Sequence, residues 1–193
     1  VAAGTRVALH PDAEVGGYTA YLALRGALAG ERYRGSPSTD ARGQVGGSGR
    51  YLRAGDVLAG AGLGGGPPNG WAGRVRYPAR TVLRLHPGPQ FEAGAFARLT
   101  GSSYRVALGD RMGVRLEGPP VPLAEHEVAS EGSPWGALQV PPDGQPIVLL
   151  ADRASTGGYA KPAVVSVHDL WRLAQARPGD EVWFVAAPDA GTL

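Results

Sequence analysis

One run of the sequence, from Gln139 to Pro162, places many polar side chains at the end of an apolar stretch. "PIVLLA" is apolar at every position, as a strand buried on both faces should be, and it leads directly into Asp152 and Arg153. Because successive side chains on a strand alternate in direction, these two groups are expected to point opposite ways. The pattern indicates either a ligand pocket at the mouth of a strand or a hairpin corner in which Asp152 caps its own turn.

The next residues, "STGGY", are mostly small and include two glycines. Such a run can turn successive backbone N–H groups toward one point, so it predicts a cradle for a carboxylate or a phosphate. Lys161 follows it and is the only lysine of the chain. We expect it to add a movable positive charge beside the cradle.

Two other motifs place polar groups at turns. "GDRMGVRLEG" gathers Asp110, Arg111, Arg115 and Glu117 about a glycine turn, and the last two would share one strand face. An ion pair that holds the turn and a clamp for a substrate are equally good interpretations of this motif. "HPGPQ" ends a strand with two prolines and places Gln90 at the start of a predicted helix.

Short strands are expected to position these groups, because 31 glycines and 17 prolines favour turns over long helices. Strands are predicted in "TVLRLHPGP", "SYRVAL", "GVRLEG", "PIVLLA" and "EVWFVA". "QFEAGAFARLTG" and "VHDLWRLAQA" have helical apolar spacing, and Ser166 with Asp169 forms a possible capping box for the second. The predicted fold class is mainly β, a β-barrel with a few short helices covering its ends.

The N-terminal part, residues 1–61, also contains strand signals, in "TRVAL" and "YTAYLALRG", followed by a loop and a turn at Ala54-Gly55-Asp56. We interpret it as a partial β subdomain. Residues 62–74 are predicted to be a Gly/Pro-rich linker, and residues 75–193 the barrel domain. "GAGLGG" in the linker matches the dinucleotide-binding glycine pattern, but prolines follow it where that site needs a helix.

Composition excludes several classes of site. The chain has no cysteine, and its four histidines lack the spacing of metal ligands, so we expect no metal site. The net charge is only +2 and the arginines are scattered, which argues against nucleic acid as a partner. No apolar run approaches the roughly 20 residues of a membrane-spanning helix, so we expect no membrane partner and a cytoplasmic location.

Several motifs, in order, resemble one family: "HPGPQ", "GDRMGVRLEGPP", "SEGSPWGALQVPPDGQPIVLLADRASTGGYAKP" and "RPGDEVWF". They are similar to the C-terminal part of the allophanate hydrolase subunit 2 family, also called biotin-dependent carboxyltransferase-like proteins. The family includes KipA and the C subunit of 5-oxoprolinase. "YTAYLALRGAL", "GSPSTDARG" and "LRAGDVL" resemble its middle region, whereas its usual N-terminal segment is not found, and Pro37 stands where an arginine is usual.

The resemblance implies β-barrel subdomains, the C-terminal one cyclophilin-like, and a companion subunit 1 (KipI-like) protein. It implies a subunit of an ATP-dependent 5-oxoprolinase-type complex that acts on a small cyclic amide, with a LamB/YcsF-type hydrolase subunit as a further partner. Two alternatives remain open. One is a non-catalytic antagonist of a kinase-inhibitor-like partner, and the other is the carboxyltransferase part of a urea carboxylase or allophanate hydrolase system, which alone would need biotin.

The same motif positions imply the site residues. The expected catalytic residues are Asp152, Gln139, Lys161 and Asp110. The expected substrate-binding residues are Arg153, Thr156, Gly157, Gly158, Tyr159, Arg111, Arg115, Glu117 and Gln90. As hypotheses, Asp152 orients or deprotonates the substrate amide, Arg153 or Arg111 binds a carboxylate or phosphate, and Gln139 fixes the amide carbonyl.

Overall fold

A computed structural model of the chain describes residues 16–21, 27–47, 49–61, 77–78 and 80–188. These residues form two compact units, one of residues 21–61 and the other of residues 16–20 together with 77–188. The predicted strand "TRVAL" and the predicted linker 62–74 lie outside the described residues. The domain boundaries at 61 and 74 therefore stay predictions.

The first unit consists largely of turns. Strand β1 (Ala27–Leu28) pairs antiparallel with β2 (Gly60–Ala61). The predicted turn before β2 is present, since the Asp56 N–H donates to the Arg53 carbonyl at 3.0 Å. The predicted strand in "YTAYLALRG" is wrong at residues 18–21, which are not extended into a ladder, and residues 22–26 lie outside the described part.

The second unit is built around a closed barrel of seven strands, in the order β10-β3-β11-β4-β5-β8-β7. All neighbouring strands are antiparallel except β3 and β11, which are parallel. The mainly β fold class is confirmed, and two further strands, β6 and β9, form a separate ribbon. The strands are β3 (Arg80–Pro87), β4 (Ser103–Gly109), β5 (Gly113–Glu117), β6 (Glu127–Gly132), β7 (Ala137–Gln139), β8 (Ile147–Leu149), β9 (Thr156–Tyr159), β10 (Ala163–Val165) and β11 (Glu181–Ala186).

Alternation of apolar and polar residues explains why these segments close into a barrel. In β3 and β11 the inward positions are Leu83, Leu85, Val182 and Phe184, all buried, whereas their neighbours are exposed or partly exposed. Burying a side chain of this size contributes about 1.5–3 kcal/mol. The barrel interior is therefore an apolar core, and polar chemistry is confined to its ends and outer surface.

Two short helices complete this core. Helix α1 (Ala93–Thr100) buries Ala95 and Leu99, while Phe91, predicted to share their stripe, precedes the helix and is half-exposed. Helix α2 (Leu170–Leu173) is shorter than the sequence predicts and buries only its two leucines. No helix of the described residues is long and apolar enough to span a bilayer.

Asp169 joins α2 to the barrel. The predicted capping box is wrong, because the Asp169 side chain makes no cap hydrogen bond. Its buried carboxylate instead accepts hydrogen bonds from the Arg84 backbone N–H at 3.0 Å and from the Arg84 guanidinium at 2.8 and 2.9 Å. Arg172 adds a bond at 3.1 Å. These bonds, with Arg84 foremost, hold the pKa of Asp169 below its usual value.

We predict that Asp169→Ala lowers the free energy of unfolding by about 2 kcal/mol, because it removes the buried carboxylate that accepts hydrogen bonds from the Arg84 backbone N–H and from two half-exposed guanidinium groups. Urea denaturation followed by tryptophan fluorescence measures this loss. Asp152→Ala is the matched control, since it removes an aspartate from an exposed ion pair and should cost less than about 1 kcal/mol. Equal losses in the two variants would contradict the assignment of Asp169 as the anchor of α2.

Candidate functional site

The candidate site lies on the ribbon formed by β6 and β9, outside the closed barrel. The strands are antiparallel, with Glu131 opposite Gly157 and Gly132 opposite Thr156. The predicted anion cradle in "STGGY" is wrong, because Thr156–Tyr159 is a strand. A cradle needs left-handed backbone, and neither Gly157 nor Gly158 has a positive φ.

Backbone hydrogen bonds hold the end of the ribbon against the barrel. The Ala160 N–H donates to the His126 carbonyl at 2.8 Å, and the Val140 N–H donates to the Ala160 carbonyl at 3.0 Å. The chain passes from β9 through Ala160 and Lys161 directly into barrel strand β10. Side chains at the barrel-facing side of the ribbon therefore meet residues of β7 and of the loop before α1.

Lys161 is the centre of this meeting point. Its side chain is fully buried, and its Nζ lies 2.9 Å from Glu131 Oε1 and 3.1 Å from the Tyr159 carbonyl oxygen. The expectation of a mobile charge is thus corrected: Lys161 is held in place inside the protein. Burial of an ammonium requires such a partner, because an uncompensated buried charge costs several kcal/mol.

Gln90 connects the lysine and the glutamate. Its Nε2 donates to Glu131 Oε1 at 2.9 Å, and its Oε1 accepts from the Lys161 backbone N–H at 2.9 Å. Hydrogen bonds from Lys161 and then Gln90 lower the pKa of Glu131. Lys161, Glu131 and Gln90 thus form one hydrogen-bonded group, the Lys161 cluster. The Glu131 side chain is 38% exposed, so the cluster reaches solvent on that side.

Gln139 and Ser133 converge on the same part of the ribbon. A Cβ placed on Gly157 would lie 2.7 Å from Gln139 Nε2 and 3.3 Å from Ser133 Oγ. Both residues are buried, at 8% and 4% exposure, and neither side chain forms a hydrogen bond with the described residues. A buried hydroxyl without a partner costs about 1–3 kcal/mol. Two unused polar groups thus lie against Gly157, beside the Lys161 cluster.

Arg153 borders this cluster, while Asp152 turns away from it. Arg153 Nε donates to the Ser133 carbonyl at 2.7 Å, which fixes the backbone that carries the free hydroxyl. Asp152 forms an ion pair with Arg111 at 2.9 Å, and both side chains are well exposed. Asp110 caps the turn between β4 and β5, where its Oδ1 accepts from Met112 N–H at 2.7 Å and from Gly113 N–H at 3.2 Å. In this structure Asp110 therefore acts as a turn-capping residue.

The remaining predicted residues lie on exposed surfaces. Arg115 and Glu117 share the outer face of β5, as expected, but no ion pair joins them among the described residues. Thr156 is exposed on β9, and a Cβ on Gly158 would approach the Val128 carbonyl instead of the cluster. The structure thus brings together Gln90, Gln139, Gly157 and Lys161, with Tyr159 contributing its carbonyl. Asp110, Arg111, Arg115, Glu117, Asp152, Thr156 and Gly158 lie apart from that contact network and stay predictions.

Sequence reasoning missed Glu131 and Ser133, which the structure places at the centre. Both lie in "SEGSPWG", and alternation would put residues two apart on one face of an extended strand. The segment is polar throughout, however, and it carries no apolar alternation that marks a half-buried strand. Their importance depends on contacts with Lys161 and Gly157, which are distant in sequence.

The chemical groups of this site suit a small polar ligand. An ammonium, a carboxylate, two amides and a hydroxyl lie close together, and no group of three or more metal-ligand side chains occurs in the described part of the chain. A cavity of about 380 Å³ lies elsewhere on this unit, lined by residues that include Tyr77, Trp171 and Gln175. None of the residues that line this cavity belongs to the Lys161 cluster.

Comparison with protein families matches residues 1–186 to the family described as carboxyltransferase domain, subdomain A and B. The chain is 38% identical over 121 residues to the C subunit of the 5-oxoprolinase of Haemophilus influenzae, covering 59% of this chain and 38% of that protein. It is 30% identical to the urea amidolyase of Lachancea kluyveri, covering 88% of this chain and 11% of that protein. The chain thus spans well under half of these relatives.

Two solved structures are also similar. A crystal structure of TTHA0988 matches with a TM-score of 0.74 and 48% identity, covering 83% of this chain and 32% of that one. The urea carboxylase of Kluyveromyces lactis matches with a TM-score of 0.68 and 26% identity, covering 85% of this chain and 17% of that one. The β-rich fold described above is therefore shared with experimentally determined structures.

We predict that Gly157→Ala displaces the Gln139 side chain, because the new methyl group would lie 2.7 Å from its Nε2. The side-chain amide resonance of Gln139 in a nitrogen–proton NMR spectrum should shift. Gly132→Ala is the matched control on the same ribbon, since nothing lies within 4 Å of its added Cβ. An unmoved Gln139 resonance in Gly157→Ala would show that the amide does not pack on Gly157.

We predict that the stability contributed by Glu131 is lost in acid. Its pKa is lowered in the folded state, so its contribution is complete above the unfolded-state pKa of about 4.3 and disappears as the pH falls through the lower folded value. Glu131→Gln should therefore unfold at lower urea than the wild type at neutral pH, and the difference should narrow below about pH 4. A difference that does not change with pH would argue against an ion pair with Lys161.

Proposed function

Because the chain belongs to the carboxyltransferase domain family, subdomains A and B, we propose that it is part of a 5-oxoprolinase-type complex that opens a small cyclic amide with hydrolysis of ATP. The Haemophilus influenzae and Escherichia coli relatives, each named as the C subunit of 5-oxoprolinase, support this choice. Its partners would be a subunit 1 (KipI-like) protein and a LamB/YcsF-type hydrolase subunit. We place ATP in the complex without assigning it to residues of this chain.

The observation that carries the proposal is the buried Lys161 cluster. Opening a cyclic amide builds negative charge on the carbonyl oxygen, and fixed cationic or N–H donors in a water-poor site stabilise that charge. The Lys161 ammonium has three N–H donors, two of which bind Glu131 and the Tyr159 carbonyl. The third has no acceptor among the described residues, and we assign it to the substrate.

Each neighbour has a separate role in this proposal. Glu131 balances the lysine charge and orients the ammonium, and Gln90 holds Glu131 in place. Gln139 offers an unused amide that matches the amide of the substrate, because each has one donor and one acceptor edge. Hydrogen bonds fix the Lys161 cluster before any ligand binds, and because the Lys161 ammonium is fully buried, the substrate must displace a neighbouring group to reach it.

The test is reconstitution of the chain with the two partner proteins, followed by an assay of ATP hydrolysis that depends on 5-oxoproline. We predict that Lys161→Met reduces kcat at least about 100-fold, because it removes the cationic donor while keeping a long side chain. Arg98→Met is the matched control and should retain wild-type activity, since Arg98 lies on the exposed face of α1 and belongs to none of the expected site residues. An assembled wild-type complex without 5-oxoproline-dependent turnover would refute the proposed function.

Urea carboxylation is the second candidate, favoured by the similarity to the K. lactis urea carboxylase. That reaction would require carboxybiotin on a carrier protein. The same assay distinguishes the two, with urea, bicarbonate, a biotin carboxylase and its biotinylated carrier in place of 5-oxoproline. Turnover with urea but not with 5-oxoproline would favour the second candidate.

A further inference from the structure

The Ser133 hydroxyl is the polar group in the described residues that the structure leaves most conspicuously unused. Its Oγ is buried and has no hydrogen-bond partner there. The rest of the residue is firmly held, since its N–H donates to the Ser155 carbonyl at 2.9 Å and its carbonyl accepts from Arg153 Nε at 2.7 Å. The hydroxyl is therefore held in a position where it contributes no hydrogen bond to the stability of the folded protein.

The side chain of Gln139 is a second unused group at the same place. It is 8% exposed and has no hydrogen bond to the described residues, although an amide can donate two and accept two. Gln139 Nε2 and Ser133 Oγ lie 2.7 and 3.3 Å from the position of a Cβ on Gly157. Two polar groups that are almost buried thus converge without bonding to anything that the structure describes.

We propose that Ser133 is a substrate-binding residue, and that Ser133 and Gln139 together recognise the planar amide of a small lactam. This inference rests on the proposed function and names the part of the site that selects the substrate. The Gln139 amide pairs with the N–H and C=O of the ligand, and the Ser133 hydroxyl supplies a third hydrogen bond. Because Gln139 Oε1 stays without a donor when the ligand lacks an N–H, a ketone of the same shape binds much more weakly than the lactam.

Ser133→Ala separates this role from a structural one. Removing a hydroxyl that has no partner should leave the urea midpoint unchanged or higher. In the reconstituted complex the same variant should raise KM for 5-oxoproline about 10-fold or more, the loss expected for one hydrogen bond to a substrate. The matched control is Ser155→Ala, which removes an exposed hydroxyl across the ribbon and should change neither value. An unchanged KM in Ser133→Ala overturns the proposal, whatever happens to stability.

A direct binding experiment tests the lactam-binding subsite, formed by Ser133 and Gln139, without requiring turnover. The Gln139 side-chain resonances of the full chain are followed by NMR while 5-oxoproline, 2-pyrrolidone or cyclopentanone is added. The two lactams, followed through these resonances, should bind the wild type at least about 10-fold more tightly than Ser133→Ala. Cyclopentanone, which lacks the N–H, should bind the wild type far more weakly than either lactam. Lactam-dependent shifts with no turnover in the complex would refute the proposed function but support the subsite. Identical responses to all three compounds, or none, would overturn the subsite.

Discussion

The buried ammonium of Lys161 is the constraint on which the site depends. An ammonium removed from water must be compensated by a carboxylate and by hydrogen-bond acceptors, and here Glu131 and the Tyr159 carbonyl provide them. The ribbon carries Glu131 and Tyr159, whereas Lys161 leads into the barrel. The ion pair of Lys161 with Glu131 thus acts together with the backbone hydrogen bonds of Ala160 to hold the two ribbon strands against the barrel.

The neighbouring groups show the opposite arrangement. Around Lys161 almost every donor and acceptor is used, whereas Ser133 and Gln139 remain without partners a short distance away. A folded protein loses stability by burying such groups, and natural proteins usually accept that loss at functional sites. Lys161 thus has two donors engaged in holding the structure and one left for a ligand, whereas the side chains of Ser133 and Gln139 are wholly available to a ligand.

Much of this organisation was predictable from the sequence, for identifiable reasons. Apolar alternation revealed β3, β4, β5 and β11, and a continuous apolar run revealed β8. The motif from Gln139 to Lys161 contains residues that do meet in space. Tertiary contacts determined the rest. Glu131 lies on the polar strand β6, which has no periodic apolar signal, and Ser133 directly follows that strand. "STGGY" has the composition of a turn but pairs as a strand because β6 lies beside it. Asp169 follows a capping pattern, yet the nearby Arg84 guanidinium binds its carboxylate more favourably.

The position of β11 has a consequence for how the chain folds. This last described strand lies between β3 and β4 and pairs with both, so residues about one hundred positions apart must meet before the barrel can close. During synthesis the ribbon and the Lys161 cluster emerge from the ribosome before β11 does. The polar site can therefore begin to assemble on an open sheet whose β3 and β4 edges are unprotected, and in that interval the nascent chain is most vulnerable to aggregation.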